Sequence, residues 1–397
     1  MSHIEIRDVG PVRQVSLDLL RFNVFIGRQS SGKSTIAKII SNCMWMEKEV
    51  LTHPQHYGDL HEFEERFIKG LEDFHFMHGY FSSQSFISYQ SEYLSITYQK
   101  EICSIVLTKK RTFERCKVLY IPAERNIAVK KFPQTQDNNM RSFSIDFTTA
   151  RYFYHAKNKL GLFDLGVKYY QVVKNGDVID NIISDHGQYN ITLDNASSGL
   201  QSVVPLTLTL DFYSNLFYKK DNESRTLDQW QDDDRKSTRM FIKQHFQGKA
   251  AENLAERLLK THGSNFVIEE PELNLFPSTQ KELVGFIVRS CGVSSRAKKH
   301  TCTITTHSPY ILSSLNLLIF AGKLSSVVPA EEARQVTGGL HVDPCEIGVY
   351  SVNDGTVASI IDASTGLIHQ NHLDEASTLI SDDFNKLYRR YIQSMRK

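Results

Sequence analysis

Apolar and polar residues alternate along the start of the chain, which is the period of a β-strand. The alternation covers residues 3–7, 12–20 and 22–26, with a Gly-Pro turn after the first segment. The spacing of apolar residues then changes to a helical period at 33–47. The sequence therefore predicts a run of strands that leads directly into a helix.

The rest of the chain mixes both kinds of segment. Strands are predicted at 86–89, 93–98, 102–107, 117–121, 168–183, 188–193, 265–270, 300–306, 317–320, 348–352 and 357–361. Helices are predicted at 197–217, 239–262, 277–290, 309–315 and 372–394. The polar run at 219–238 predicts a solvated insertion or a flexible loop.

This order predicts an α/β fold with a mixed sheet. An antiparallel β-subdomain, made of the N-terminus and a meander at 85–121, is expected to flank that sheet. A helical subdomain is expected from 126–160 and 199–262. No clean linker separates two independent domains.

Residues 27–34 read G-R-Q-S-S-G-K-S, a phosphate loop between a predicted strand and a predicted helix. Its glycines let backbone N–H groups point at phosphate oxygens, and the helix N-terminus adds a positive partial charge. Lys33 is predicted to bridge the β- and γ-phosphates, and Ser34 to bind Mg²⁺. The predicted nucleotide-binding residues here are Gly27, Ser30, Ser31, Gly32, Lys33, Ser34 and Thr35.

Acids follow a second apolar run, where residues 266–272 read F-V-I-E-E-P-E. An apolar strand that ends in acids is typical of a Walker B site, although a solvated strand end gives the same pattern. With a phosphate loop upstream, Glu269 is predicted to hold Mg²⁺ directly or through water. Glu270 is predicted to orient and deprotonate the attacking water.

A histidine follows another β-rich run, where residues 303–309 read T-I-T-T-H-S-P. A lone histidine is often a packing residue. Because His307 comes after the acidic strand, we predict that it reaches the γ-phosphate and the attacking water.

Residues 197–201 read S-S-G-L-Q at the start of a predicted helix. Serine and glycine at a helix N-terminus form either a plain N-cap or an anion site. Since the nucleotide already has one phosphate loop, an anion site at Ser198 and Gly199 predicts contact with nucleotide bound to a neighbouring subunit.

Composition narrows the class of protein. The chain has 397 residues, with 46 Lys and Arg against 45 Asp and Glu, so no overall field favours nucleic acid or a membrane. Its six cysteines form no C-x-x-C pair, and the N-terminus lacks the pattern of a signal peptide. No apolar run approaches a membrane span. These features predict a cytoplasmic protein with reduced thiols and no membrane contact.

The order of the phosphate loop, S-S-G-L-Q, V-I-E-E-P-E-L and T-T-H-S-P-Y resembles ABC-class ATPases of the RecF/SMC/OLD group. It is most similar to the compact bacterial members often labelled AAA-family ATPases. The resemblance implies a P-loop NTPase of the ABC type, with 1–397 forming a single head. Residues 1–125 would form the phosphate-loop lobe with the β-subdomain, 126–262 the helical signature lobe, and 263–397 the part with the Walker B strand and the histidine.

The same resemblance implies that two heads enclose two nucleotides. Ser198 and Gly199 of one head would then act on the γ-phosphate held by the other. The resemblance gives Glu269 the magnesium role, Glu270 the role of base and His307 the role of switch histidine.

Residues 120–125, Y-I-P-A-E-R, also resemble a stretch of the family. Arg125 is therefore a candidate for contact with the nucleotide or the interface, and a structural ion pair is the alternative. The sequence departs from the family at Leu200, where the usual signature has a second glycine. It also departs at Asn274 and Phe276, where relatives often have histidines.

These features predict an ATPase that works as an ATP-driven switch with Mg²⁺. It is expected to form a homodimer or a higher oligomer around ATP and to act through a separately encoded effector, a nuclease or a toxin. By resemblance, sensor subunits of bacterial anti-phage systems such as PARIS work in this way. The sequence has neither a long heptad arm nor an acid-rich centre that resembles a Toprim nuclease.

Two other functions stay open. A DNA repair ATPase of the RecF kind would bind DNA, with basic clusters at 109–111 and 130–131 as modest support. A small-molecule P-loop kinase would explain the phosphate loop but neither S-S-G-L-Q nor the histidine.

Overall fold

The computed structural model describes residues 2–108, 113–129, 138–154, 159–174, 177–218, 229–292, 300–324, 330–369 and 385. The strands of these residues are β1 (Ser2–Val9), β2 (Val12–Leu19), β3 (Phe22–Ile26), β4 (Phe86–Gln90), β5 (Leu94–Gln99), β6 (Ile102–Leu107), β7 (Cys116–Ile121), β8 (Leu160–Gly161), β9 (Val167–Lys174), β10 (Asp177–Ser184), β11 (Asn190–Thr192), β12 (Gly263–Glu269), β13 (Thr301–Thr306), β14 (Ile347–Asn353) and β15 (Thr356–Ser359). The α-helices are α1 (Lys33–Thr52), α2 (His61–Lys69), α3 (Asn138–Phe153), α4 (Ser198–Asp211), α5 (Gln229–His245), α6 (Gly248–Leu259), α7 (Pro277–Cys291), α8 (Pro309–Leu324) and α9 (Ala330–Thr337).

Five neighbouring strands of an 11-stranded sheet run parallel, in the order β14-β3-β13-β12-β7. Their register places Glu269 beside Thr305, and Thr306 beside Ile26. The loops after β3, β12 and β13 therefore leave the sheet at the same edge. In open parallel sheets, ligands bind at this carboxyl edge.

Helices cover both faces of this parallel part. Phe266 and Ile268 of β12 belong to the core that contains α4, while Val267 packs with Ala37 of α1. Helix α4 itself is apolar and is buried from Gln201 onward. A strand covered on both faces needs a continuous apolar run, which explains the run that precedes the acids.

The antiparallel strands continue the same sheet in the order β6-β5-β4-β1-β2. The hairpin β14–β15 joins the two halves, because the order across the junction is β2-β15-β14-β3. A separate antiparallel sheet has the order β11-β10-β9-β8. The predicted mixed α/β fold is confirmed, but the strand at 117–121 does not belong to the meander. It is β7, at the far edge of the parallel half.

The predicted strand at 317–320 is wrong, because these residues lie within α8. Leu315, Leu318 and Ile319 are buried, whereas Phe320 is 45% exposed. Steps of three and four residues put the buried positions on one face of a helix. A short apolar run does not by itself distinguish a strand from a buried helix.

The structure also bears on the predicted helices and polar segments elsewhere in the chain. The predicted helix at 239–262 is two helices, α5 and α6, and α5 begins at Gln229 inside the run predicted as a loop. The basic clusters at 109–111 and 130–131 lie outside the described residues, as does the segment 372–394 apart from residue 385. Among the helices of the described ranges, none is long and apolar enough to cross a membrane.

Candidate functional site

The phosphate loop connects β3 to α1 and folds around the ammonium group of its own lysine. Lys33 Nζ donates hydrogen bonds to the backbone carbonyls of Gly27 at 2.9 Å and Arg28 at 2.7 Å. Ser30 and Gly32 have positive φ angles of 60° and 105°, and Gly32 is the N-cap of α1. The loop therefore curls at the helix N-terminus, as phosphate binding requires.

The other predicted loop residues line the same turn. A Cβ at Gly27 would lie 2.3 Å from the carbonyl oxygen of Val352, so this position needs glycine. The Ser31 hydroxyl is buried and has no hydrogen-bond partner within the described part of the chain. Ser34 is half-buried and Thr35 is buried in the first turn of α1.

His307 joins the lysine of the phosphate loop to the predicted base. Its Nδ1 lies 3.4 Å from Lys33 Nζ, and its Nε2 lies 3.1 Å from Glu270 Oε1. An ammonium group only donates, so we assign Nδ1 as the acceptor and Nε2 as the nitrogen whose proton is donated to Glu270. Three predicted residues from three different loops therefore meet in one hydrogen-bonded row.

Burial lowers the pKa of Lys33 to about 8, and the carboxylates of Glu270, Glu272 and Glu269 partly oppose this shift. At neutral pH the ammonium group therefore stays charged. Its charge, almost enclosed by protein, is available to an anion that enters the loop.

Glu272 fixes the backbone before and at the histidine. Its Oε1 accepts a hydrogen bond from the Thr306 hydroxyl at 2.7 Å and another from the His307 backbone N–H at 2.8 Å. Burial raises the pKa of Glu272, while these two hydrogen bonds lower it by less. Sequence analysis gave Glu272 no role, although its position two residues after the predicted base was a signal.

Arg125 lies beneath the acidic loop and bonds its backbone. It is 0% exposed. Its guanidinium donates at 2.9–3.4 Å to the backbone carbonyls of Pro122, Ala123, Ser202, Glu269, Glu270 and Pro271. One of these acceptors belongs to Glu270, whose φ of 41° is unfavourable for a residue with a side chain. Burial lowers the pKa of Arg125 to about 10, so it stays charged and holds this loop.

Glu269 and Ser34 fit a magnesium ion. Burial raises the pKa of Glu269, while the charge of Lys38 and the hydroxyls of Tyr120 and Ser34 lower it by less. One carboxylate oxygen, Oε1, is buried and accepts no hydrogen bond from the described residues. A carboxylate and a hydroxyl are ligands that Mg²⁺ takes beside phosphate oxygens and water. The donor set is therefore suitable, and these two residues would hold the ion.

A buried histidine, His75, packs against Tyr120, the tyrosine whose hydroxyl lies near Glu269. The ring of His75 lies 4.7 Å from the ring of Tyr120 at an interplanar angle of 78°. His75 Nδ1 has no hydrogen-bond partner in the described ranges. Sequence analysis gave neither residue a role of its own, because nothing in the local pattern shows that residue 75 packs under β7.

This histidine predicts a pH dependence of stability. Burial lowers the pKa of His75 to about 3. A histidine in the unfolded chain titrates near about 6.5, so below that pH only the unfolded state takes up the proton. Between about pH 7 and about pH 5, we expect His75 to lower the free energy of unfolding by about 2 kcal/mol. Chemical denaturation at both pH values should show this loss in the wild type and a smaller one in His75→Phe; equal losses would contradict the prediction.

The predicted signature serine, Ser198, is the first residue of α4. Ser197 caps α4 and accepts from the backbone N–H of Leu200 at 3.5 Å, while Ser198 is exposed. A Cβ at Gly199 would lie 2.7 Å from the carbonyl oxygen of Asn274, so this helix end packs closely on the loop after β12. In the described structure, no hydrogen bond or ion pair connects Ser198 to the phosphate loop. Within the described residues, hydrogen bonds therefore join the phosphate loop, Glu270 and His307, while the signature packs on the loop after β12.

No protein-family model matches this sequence. No curated protein matches it either. Among solved structures, the chain is similar to the recombination mediator protein RecF-ATPrS in the RecFOR pathway, with a TM-score of 0.33 and 8% sequence identity. That match covers 90% of this chain and 97% of the other.

Proposed function

We propose that the protein binds ATP with Mg²⁺ and hydrolyses it, and that it uses this cycle as a switch. The observation that carries the proposal is the row Lys33–His307–Glu270 at the carboxyl edge of the parallel strands. A cation from a phosphate loop, a histidine and a carboxylate in one row can bind a terminal phosphate and activate a water beside it.

Each residue has one task in the proposed reaction. Lys33 binds the phosphate oxygens in place of its loop carbonyls, and His307 contacts the γ-phosphate. Glu270 accepts a proton from the attacking water, whose oxygen forms a bond to the γ-phosphorus as the bond to the ADP oxygen breaks. Bound to Ser34 and Glu269, Mg²⁺ would neutralise charge on the phosphate oxygens.

Removal of the lysine tests the first step. Lys33→Ala should weaken ATP binding by about 10–150-fold, because charge-assisted hydrogen bonds to phosphate are lost. Titration with a slowly hydrolysed ATP analogue measures this change. Lys281→Ala, at an exposed position on α7, is the matched control and should bind as the wild type does. Equal affinity of Lys33→Ala and the control would contradict the proposed site.

We further propose that two chains enclose two nucleotides. Ser198 is exposed at the N-terminus of a helix and has no link to its own phosphate loop in the described residues, so it is available to nucleotide bound by a second copy. A chain with one reaction centre and an exposed signature would work by opening and closing against its copy. From resemblance alone, we propose that it is the ATPase sensor of a bacterial anti-phage system and controls a separate nuclease or toxin.

The mass of the assembly tests these partners. Glu270→Gln protein with ATP, co-expressed with the products of its flanking genes, should have the mass of an even number of ATPase chains plus a second protein. A bare dimer would argue against the effector. A dimer that carries only DNA would favour a repair ATPase. An ATP-bound monomer would overturn the proposed action of Ser198 on a partner's nucleotide.

A further inference from the structure

A broad, open cavity of about 520 Å³ lies between α1, the end of α2 with the turn that follows it, and α3. Its apolar lining includes Trp45, Phe74 and Ile145. Trp45 and Phe74 are half-buried, and Ile145 is 44% exposed. This volume falls within the range of about 300–1,000 Å³ found for small-molecule sites, which are mostly apolar with a few polar groups.

The charged lining of the cavity is mostly positive. Arg66, Lys69 and Arg141 line it, against one acid, Asp73. Neither Lys69 nor Arg141 forms an ion pair with any described residue, and both are exposed at the rim. The Arg66 guanidinium lies 5.4 Å from the centre of the Trp45 ring. Aromatic walls below a cationic rim complement a flat ring that carries a negative group.

We propose that this cavity binds a small anion with an aromatic ring, of the nucleoside monophosphate class. The ring would enter against Trp45 and Phe74, and the phosphate would remain at the rim with Lys69 and Arg141. This site is separate from the phosphate loop.

The cavity is also connected to the Walker B strand. Phe74 ends a π-helical turn, Gly70–Phe74, a feature that is frequent at functional sites. Its ring lies 4.8 Å from that of His75, which in turn contacts Tyr120. Phe74 also packs against the small cluster that contains Tyr120 and Val267, and Val267 lies two residues before Glu269. A ligand that moves Phe74 would therefore alter the packing behind the magnesium ligand, and in this respect the inference rests on the proposed function.

Tryptophan fluorescence tests the site directly. The chain has two tryptophans, so Trp230→Phe leaves Trp45 as the reporter. Lys33→Ala in the same protein weakens nucleotide binding to the phosphate loop by about 10–150-fold. In this background, AMP should quench Trp45 in a saturable way, more tightly than adenosine or inorganic phosphate alone.

The rim variants decide the result. Lys69→Ala with Arg141→Ala should weaken AMP binding by about tenfold. Lys281→Ala with Arg289→Ala, two exposed positions of the same charge on α7, should leave binding unchanged. No quenching, or quenching that the rim variants do not weaken, would overturn the site.

A short oligoadenylate distinguishes two sources of the nucleotide. Tighter binding of the oligoadenylate than of AMP would identify a nucleotide within a strand as the ligand, and weaker binding would identify a free nucleotide.

Turnover tests the connection. In the protein with Lys33 intact, AMP should change the rate of ATP hydrolysis. This change should be smaller when Lys69→Ala and Arg141→Ala are also present. If AMP quenches Trp45 but the rim variants show the same change in rate as the wild type, regulation through the cavity is wrong. If no ATP is hydrolysed under any condition, the proposed function fails, while the binding site stands on the quenching.

Discussion

Glu270→Gln is expected to hydrolyse ATP about 10²–10⁴-fold more slowly than the wild type and to bind it with similar affinity. Glutamine has nearly the same shape, and its carbonyl oxygen still accepts the hydrogen bond that His307 Nε2 donates at 3.1 Å in the wild type. It cannot, however, take a proton from water. The row from Lys33 to residue 270 should therefore stay intact while the chemical step is lost.

Two measurements separate these effects. Phosphate release at saturating ATP gives kcat, and titration with a slowly hydrolysed analogue gives the affinity. Glu282→Gln makes the same chemical change at an exposed position on α7 and should hydrolyse ATP normally. A Glu270→Gln protein that turns over at the normal rate would show that another group accepts the proton.

Arg125→Met should have the largest effect on stability, with a loss of about 3–5 kcal/mol in the free energy of unfolding. The substitution keeps much of the apolar stem but removes the guanidinium hydrogen bonds to six backbone carbonyls, of which that of Glu270 still accepts from the Leu273 N–H at 3.1 Å. Water cannot replace those donors at a position that is 0% exposed. Since three of the acceptors belong to Glu269, Glu270 and Pro271, the acidic loop should also lose its fixed geometry.

Denaturant titration of Arg125→Met against Arg289→Met, an exposed arginine on α7, measures the stability difference. The exposed substitution should change stability by less than about 0.5 kcal/mol. Arg125→Lys keeps the charge but lacks the fork of five donors, so it should fold with an intermediate loss and a reduced kcat. If Arg125→Met were as stable as Arg289→Met, the carbonyls would have other partners and the supporting role would be wrong.

Much of the candidate site follows from the sequence, because each of its parts succeeds an apolar run. Lys33, Glu270 and His307 come after strands that prove to be parallel neighbours, and a parallel sheet puts such residues at one edge. Their meeting was therefore predictable, while their roles in catalysis stay predictions. Arg125 could not be placed in this way. Its donors serve carbonyls that are brought together only by the folded loops after β7 and β12 and by α4.

The sequence predicts the fold class better than it predicts which strands are neighbours in the sheet. The alternation of apolar and polar residues predicts β1, β2, β4, β5 and β6. It does not show which strands pair with one another in the sheet. Strand β7 follows the meander in sequence and yet pairs with β12, since the long-range packing of the core outweighs the local order. Likewise, the run 317–320 has the composition of a strand and became helix because its apolar positions continue the face of α8.

The place of the hairpin β14–β15 has a consequence for synthesis of the chain on the ribosome. Strands β2 and β3 are nearly consecutive in sequence, yet two strands made more than 300 residues later stand between them. The backbone N–H groups of Arg13 and Gln14 bond the carbonyl of Gly355, and Gly27 rests against Val352. Until that hairpin has been synthesised, the edges of β2 and β3 that it pairs with have no partner strand. Such unpaired edges make the nascent chain prone to aggregation and dependent on protection from it, and they delay completion of the sheet. The turn around Gly27 can therefore take its described form only after the strand Ile347–Asn353 has been made, so a chain cut short before residue 347 should carry the complete phosphate-loop sequence without this support.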